Sequence, residues 1–171
     1  FRQGNSDQNT FIISWLKGVL SAMDDIDSIV ELFCGSGNFT HVLAETSAAH
    51  IVALEGDDAS IAALTARVLR GVTGVRANLF SESDIRTLVP NVNGRLGVVI
   101  DPPREGLKER AALTTLFSSA RWVVYIACDL ATWERDSGFL SDCGLSLQEA
   151  RGLDMFPQTP HMEILSVFKR A

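Results

Sequence analysis

Short apolar runs alternate along this chain with stretches of helical periodicity, and that alternation constrains the fold more than any other feature. Ser28–Phe33 (SIVELF), His50–Glu55 (HIVALE), Val75–Phe80, Leu96–Ile100 (LGVVI) and Trp122–Ala127 (WVVYIA) read as strands. Asn38–Glu45, Ala59–Leu69, Ala111–Phe117 and a segment from Ala131 to about Leu140 read as the helices between them. A further helix precedes the first strand, where Phe11, Ile12, Trp15, Leu16, Val19, Leu20 and Met23 mark one apolar face. Strands this uniformly apolar are buried on both faces, which means a parallel sheet covered by helices on each side. Leu145–Leu153 and Glu163–Phe168 are strand candidates with no helical pattern between them, so they are expected to pair antiparallel. The expected fold is therefore a doubly wound, mostly parallel α/β sheet with an antiparallel C-terminal hairpin, forming one domain over residues 1–171.

Charge narrows the partners such a domain takes by itself. Fifteen Lys and Arg stand against twenty-one Asp and Glu, a formal charge of −6. A free-standing electrostatic nucleic-acid binder is basic, and so is a polybasic membrane anchor. No apolar run approaches the roughly 20 residues of a membrane span. Cys34, Cys128 and Cys143 have no CxxC spacing, so they form neither a disulfide framework nor a zinc site. A reducing, cytoplasmic setting is the expected one.

In folds of this kind ligands sit beyond the carboxyl ends of the strands. The first strand runs into Cys34-Gly35-Ser36-Gly37-Asn38-Phe39-Thr40. Gly35 and Gly37 permit a tight turn and a close backbone approach to a ligand. A dinucleotide fingerprint wants a third glycine where Thr40 stands, so a cofactor with a pyrophosphate is disfavoured. Glu55 ends the second strand eighteen residues after Gly37 and is placed to accept hydrogen bonds from ribose hydroxyls. Asp101-Pro102-Pro103 ends the fourth strand, and its prolines stiffen the backbone at the edge of the site. Together these features point to an adenosine-bearing ligand.

Five segments then carry a resemblance: FRQGN, ELFCGSGNFT, DPPREGL, VVYIACDLATWERD and LDMFPQTPHMEIL, in this order over nearly the whole chain. They resemble the catalytic domain of the RNA uracil-5-methyltransferases (23S rRNA and tRNA m5U methyltransferases). That family's fold is the Rossmann-like class I fold of methyltransferases dependent on S-adenosyl-L-methionine. The resemblance implies Cys128 as nucleophile and Glu163 as general base. It implies Gln3, Phe33, Asn38, Glu55, Asn78 and Asp101, beside Gly35 and Gly37, as the methyl-donor site. The segment DMFPQTPHMEIL looks more like the ribosomal-RNA members than the transfer-RNA member. The implied partner is RNA, gripped mostly by a small N-terminal RNA-binding barrel that typically precedes this domain, and the chain is expected to be the C-terminal part of a longer protein. Two departures stand beside the nucleophile. The family writes Ser-Cys-Asn-Pro or Ser-Cys-Asp-Pro where this chain has Ala127-Cys128-Asp129-Leu130. Leu130 lacks the ring that would fix the following turn, and Ala127 lacks a hydroxyl.

The implied chemistry explains the residue types. Carbon 5 of uracil is a poor nucleophile until a thiolate adds to carbon 6 and turns the ring into an enolate. That enolate takes the methyl from a sulfonium donor, a base then removes the carbon-5 proton and the cysteine leaves, dividing one hard step into easier ones. A cysteine at a strand end just before a helix gains anion stabilisation from the helix N-terminus. Asp129 is expected as that helix's cap, and Phe156 is a candidate to stack on a flipped base. The alternatives are a methyltransferase acting on another target, such as an adenine or glutamine nitrogen, or a catalytically weakened S-adenosylmethionine-binding paralogue. Arg104 counts against the first, because nitrogen methyltransferases place an aromatic after Asp/Asn-Pro-Pro. Leu130 is the best argument for the second.

Overall fold

The computed structural model describes residues 6–23, 26–88, 94–154 and 162–170. Gln3, Phe156 and His161 lie outside the described residues. Helix α1 (Ser6–Ser21) leads into strand β1 (Ser28–Leu32). Then follow α2 (Thr40–Thr46), β2 (His50–Glu55), α3 (Asp58–Ala66), β3 (Val72–Arg76), α4 (Glu82–Leu88) and β4 (Leu96–Ile100). The chain continues with α5 (Arg110–Ser119), β5 (Ala120–Ala127), α6 (Leu130–Asp142), β6 (Leu145–Asp154) and β7 (Met162–Arg170). The seven strands form one sheet in the order β3-β2-β1-β4-β5-β7-β6. Strands β1 to β5 run parallel, and β7 inserts antiparallel between β5 and β6. This is the doubly wound sheet with a C-terminal antiparallel hairpin that the hydrophobic pattern predicts.

The two faces of the sheet have separate cores because side chains alternate along each strand. Ile29, Ile51, Val99, Val124, Ile126, Leu165 and Val167 meet α1 through Ile12, Trp15 and Leu16, and α2 through Phe39, Val42 and Leu43. The other face carries Val30, Leu32, Val98, Ile100, Val123 and Tyr125 against Ile85 of α4, Leu113, Leu116 and Phe117 of α5, and Leu140 of α6. Helix α1 buries Ile12, Trp15 and Leu16 at the i, i+3, i+4 spacing of one face, and each such side chain contributes about 1.5–3 kcal/mol on leaving water.

Two elements differ from the sequence expectation. The third strand is Val72–Arg76, not Val75–Phe80. Residues 77–80 instead turn, with Asn78 Oδ1 accepting from Phe80 N at 3.0 Å and Asp84 Oδ2 accepting from Asn78 N at 2.9 Å. The apolar run Val75, Ala77, Leu79 misled because its later half packs as a turn under the sheet rim. Helix α4 has no counterpart in the sequence reading: Ile85 is its single buried residue, too little to make an apolar stripe.

Arg170, near the end of β7, ties the last elements together. Its Nε donates to Ala120 O, and its guanidinium also donates to Phe117 O and Cys143 O, each at 2.9 Å. These carbonyls lie at the end of α5, the start of β5 and the end of α6, so one cation joins the three segments. Arg170→Ala is expected to cost about 1–2 kcal/mol and to lower Tm by about 3–6 °C, measurable by thermal unfolding.

Candidate active site

Beyond the carboxyl ends of β1, β2, β4 and β5 lies a cleft of about 770 Å³. It opens at the point where β1 and β4 neighbour each other and the winding reverses, where such folds bind ligands. Its lining includes Phe33, Gly35, Asn38, Glu55, Asn78, Asp101, Cys128 and Glu163. Every expected site residue among the described ones therefore faces it except Gly37. That glycine lies behind the turn, where an added Cβ would stand 2.5 Å from Leu64 Cδ1 of α3.

The turn after β1 is held in a demanding shape. Phe33, Gly35 and Gly37 all have positive φ, at 62°, 53° and 87°. A non-glycine residue in that region is uncommon and marks a place where the surroundings impose the conformation. Glu55 is part of what imposes it. Its Oε2 accepts from Gly35 N at 2.9 Å, and its Oε1 accepts from Gly56 N at 2.7 Å and Asp57 N at 3.0 Å. A carboxylate offers about four acceptor sites, so roughly one, on Oε2, is left for a ribose hydroxyl. Arg67 adds a donation to Gly37 O at 2.8 Å. Asn38 and Asn9 exchange side-chain amide bonds of 2.8 and 3.3 Å, which anchors the turn to α1. Gly35 has open space where a Cβ would project, as a ligand approaching the backbone requires.

Strand register explains how distant residues converge. Glu31 pairs with Ala53 on one side and Val99 on the other, and Val99 pairs with Val124, which pairs with Val167. Alternate residues along each strand share a face. Continuing that alternation puts Glu31, Glu55, Asp101, Cys128 and Glu163 on one face, as a row along the rim. Cys128 and Glu163 each lie one residue beyond the pair Ala127–Ile164, at the adjoining ends of β5 and β7, and both line the cleft. Glu163 is buried and Cys128 is half-buried.

The row is rich in carboxyls, and burial opposes their ionisation. Burial pushes the Glu31 carboxyl up to about 8, and a hydroxyl on Thr40 opposes this only in part. Neither Glu31 Oε2 nor Thr40 Oγ1 completes a hydrogen bond among the described residues. Asp101 keeps some surface in the cleft, yet desolvation, then Glu163 and Glu31, hold its carboxyl well above the usual range. Burial also raises the Cys128 thiol, Glu163 and Asp101 add to the rise, and Arg104 opposes it. A cationic ligand suits such a rim. The residues present therefore fit S-adenosylmethionine, whose sulfonium and ammonium would face these carboxyls while its adenosine met the apolar side.

That apolar side includes Phe33 and Phe80, with ring centroids 5.7 Å apart and an interplanar angle of 46°. Phe80, Arg104 and Glu31 were not expected from sequence. Glu31 had a signal, since a carboxylate inside the otherwise apolar run SIVELF needs a reason. Asp129 caps α6, accepting from Thr132 N at 2.8 Å, and its carboxyl is held below the usual range by that bond. Leu130 is the first residue of α6, with 57% of its surface exposed. Proline is at home at that position because its missing N–H has no helical partner. The turn after Cys128 is thus fixed by the Asp129 cap. Leu130→Pro is expected to be tolerated, with stability raised by about 0.4–1 kcal/mol through the unfolded state, as denaturant unfolding would show.

A sequence model described as tRNA (Uracil-5-)-methyltransferase matches residues 1–85. Over 99% of its length the chain is 39% identical to an uncharacterized RNA methyltransferase of Nitrosomonas europaea. Over its whole length it is 35% identical to the 23S rRNA (uracil(1939)-C(5))-methyltransferase RlmD of Hahella chejuensis. The chain belongs to the RNA uracil-5-methyltransferase family. It spans 43% and 39% of the length of these two relatives. Solved structures agree on the fold. A SAM-dependent methyltransferase from Aquifex aeolicus superposes with a TM-score of 0.70 at 10% identity, covering 98% of this chain and 94% of that one. TYW2 of M. jannaschii in complex with AdoMet gives 0.64 at 18% identity, covering 100% and 78%. Uracil-5-methyltransferase membership and the class I fold thus stand on separate comparisons.

Proposed function

We propose that this chain is the catalytic domain of an enzyme that methylates carbon 5 of a uridine in 23S rRNA, using S-adenosylmethionine and a covalent bond between Cys128 and carbon 6 of uracil. The observation that carries the reading is the meeting of Cys128 and Glu163 across paired strand ends, in the same cleft as the glycine turn and Glu55. A thiol beside a carboxyl is what the reaction asks for: one group to add to the ring, the other to take its proton. The RlmD relatives favour 23S rRNA over tRNA as the substrate.

When bound, S-adenosylmethionine supplies a methyl group activated by a sulfonium. Glu55, Asn38 and the Gly35 turn hold its adenosine end, and Gln3 and Asn78 complete the site. Asp101 lines the cleft toward the donor's positive charge, with Glu31 buried behind it in β1. Cys128 adds to carbon 6 as the thiolate, which Arg104 favours. Once carbon 5 bears the methyl group, Glu163 takes the carbon-5 proton, the C–H electrons restore the carbon 5–carbon 6 double bond, and Cys128 departs as thiolate with the electrons of the C–S bond. With a charge of −6, this domain is read as leaving most phosphate contacts to a preceding RNA-binding segment of the full-length protein. Its three free cysteines suit a reducing cytoplasm.

The test is incubation of full-length protein with donor and 23S rRNA fragments containing 5-fluorouridine. Fluorine cannot leave as a proton, so a denaturation-resistant protein–RNA adduct at Cys128 is expected. Failure of the donor-bound enzyme to form one, with methyluridine absent from its unsubstituted rRNA, would overturn the reading.

A further inference from the structure

Two segments that mark this family in the sequence, DPPREGL and the end of VVYIACDLATWERD, meet at a single buried carboxylate. Asp136 is fully buried in α6. Its Oδ2 accepts from Leu107 N at 2.9 Å and from the Tyr125 hydroxyl at 3.0 Å. Its Oδ1 accepts from the Arg110 guanidinium at 3.0 Å and from Arg135 Nε at 3.1 Å. All four acceptor sites of the carboxylate are therefore used. The same helix face grips the loop twice more: Thr132 Oγ1 donates to Arg104 O at 2.8 Å, and Arg135 donates to Glu105 O at 2.8 Å. Gly106, at φ 67°, lies so close that an added Cβ would stand 2.3 Å from Asp136 Oδ2. Only glycine admits both that conformation and that approach.

What is joined matters. Tyr125 lies three residues before Cys128 on β5, and α6 starts two residues after it. The loop held at Arg104, Glu105 and Leu107 is the continuation of Asp101-Pro102-Pro103, and Arg104 lines the cleft with Cys128. A surface ion pair would contribute little. Here the carboxylate itself is buried and saturated, held by a backbone N–H, a buried hydroxyl and two partly exposed guanidiniums at once, so its geometry is stiff.

We propose that Asp136 is a positioning residue for the chemistry at Cys128, locking the Arg104–Leu107 loop to the strand and helix that carry the nucleophile so that the Arg104 guanidinium stays beside the thiol. This rests on the reading of Cys128 as the nucleophile, but its test requires neither RNA nor donor. The charged groups facing the thiol are Glu163 on β7, Asp101 after β4 and Arg104 in the held loop. Among the described residues, releasing the loop removes the favourable charge of Arg104 and leaves the unfavourable ones of Glu163 and Asp101. Removing the Asp136 charge alone would act in the opposite direction, because a lost anion favours a thiolate. The sign of the shift therefore separates the two causes.

The experiment is iodoacetamide alkylation of Cys128 against pH in full-length protein, with the modified peptide quantified by mass spectrometry and the Cys128→Ala protein as blank. Asp136→Asn is expected to move the alkylation midpoint upward and to slow modification at pH 7.5 by about three- to tenfold. Tyr125→Phe, which loses one bond and keeps the charge, is expected to move it the same way by less. Donor affinity, measured by calorimetry, stays within about twofold, because the Glu55 side of the cleft is not part of the network. A downward or unchanged midpoint in Asp136→Asn overturns the proposal, as does a loss of donor affinity equal to the loss of alkylation. If Asp136→Asn does not fold, an unchanged midpoint in Tyr125→Phe overturns it. Absence of an RNA adduct in the wild type would instead strike at the enzyme reading and leave these titrations standing.

Discussion

Cys128→Ala is expected to lower uridine methylation by at least about 10⁴-fold, some 5.5 kcal/mol of barrier, while donor affinity stays within about twofold. The size follows from covalent catalysis: without a thiolate on carbon 6, carbon 5 has no enolate to draw on, and no neighbouring group supplies one. The sparing of donor affinity follows from position. Cys128 lies on the β5 side of the cleft, whereas Glu55 and the glycine turn hold the other side. Methyl transfer from labelled donor to rRNA, beside calorimetric titration of the donor, checks both halves. The wild type carries a linked expectation in pH. Burial, Glu163 and Asp101 raise the thiol, so the reactive thiolate is scarce at neutral pH. Its fraction grows by about tenfold per unit as pH rises towards the thiol's pKa. Adduct formation with fluorinated RNA is therefore expected to accelerate with pH above 7, and a flat profile would mean that the thiol is already ionised.

The second large effect belongs to Glu163→Gln. The amide keeps the shape of the side chain and loses the ability to take a proton. Methylation turnover is expected to fall by about 10²–10⁴-fold, the usual contribution of a positioned base. Unlike Cys128→Ala, this variant still forms its bond to carbon 6 and cannot complete release. Methylated RNA is therefore expected to remain attached to the protein, visible as a slow-migrating band after denaturation and resolved by mass spectrometry at Cys128. Rapid turnover without accumulation would assign the base elsewhere. A fall without any attached RNA would place Glu163 in the addition step instead. The variant also removes a charge that raises the Cys128 thiol, so its addition step is expected to reach half-maximal rate at lower pH than in the wild type.

Much of this was legible in the residues themselves. The runs HIVALE and LGVVI give β2 and β4 at the observed bounds, because fully buried parallel strands leave an uninterrupted apolar signature. The reversal at the C-terminus was legible from the missing helix between the last two runs. The third strand was not, since Val72–Arg76 (VTGVR) carries a glycine and a threonine and only part of its surface is buried. Helix α4 escaped for a related reason, with a single residue, Ile85, to report on it. In the site, Cys128 and Glu55 announced themselves by standing at strand ends. Asp136 did not. A carboxylate within a polar helical stretch reads as solvent-facing, and only the folded loop of Arg104 to Leu107 reveals what it serves. Asn9 was hidden in the same way, its partner Asn38 being twenty-nine residues distant.

The direction of β7 has a consequence of its own. The five parallel strands bring only their final residues to the reactive rim, and each is followed by a turn that must carry whatever chemistry lies beyond. A strand running the other way arrives at that rim with its opening residues. Here it seats the Glu163 carboxylate within the ladder of β7 and β6, beside the end of β5 that Cys128 follows. A one-residue slip of that ladder would turn Glu163 to the opposite face. The separation of the Cys128 thiol from the Glu163 carboxylate is thereby governed by the main-chain pairing that ends at Ala127 and Ile164, and variation elsewhere on the rim can change the cleft without altering that spacing.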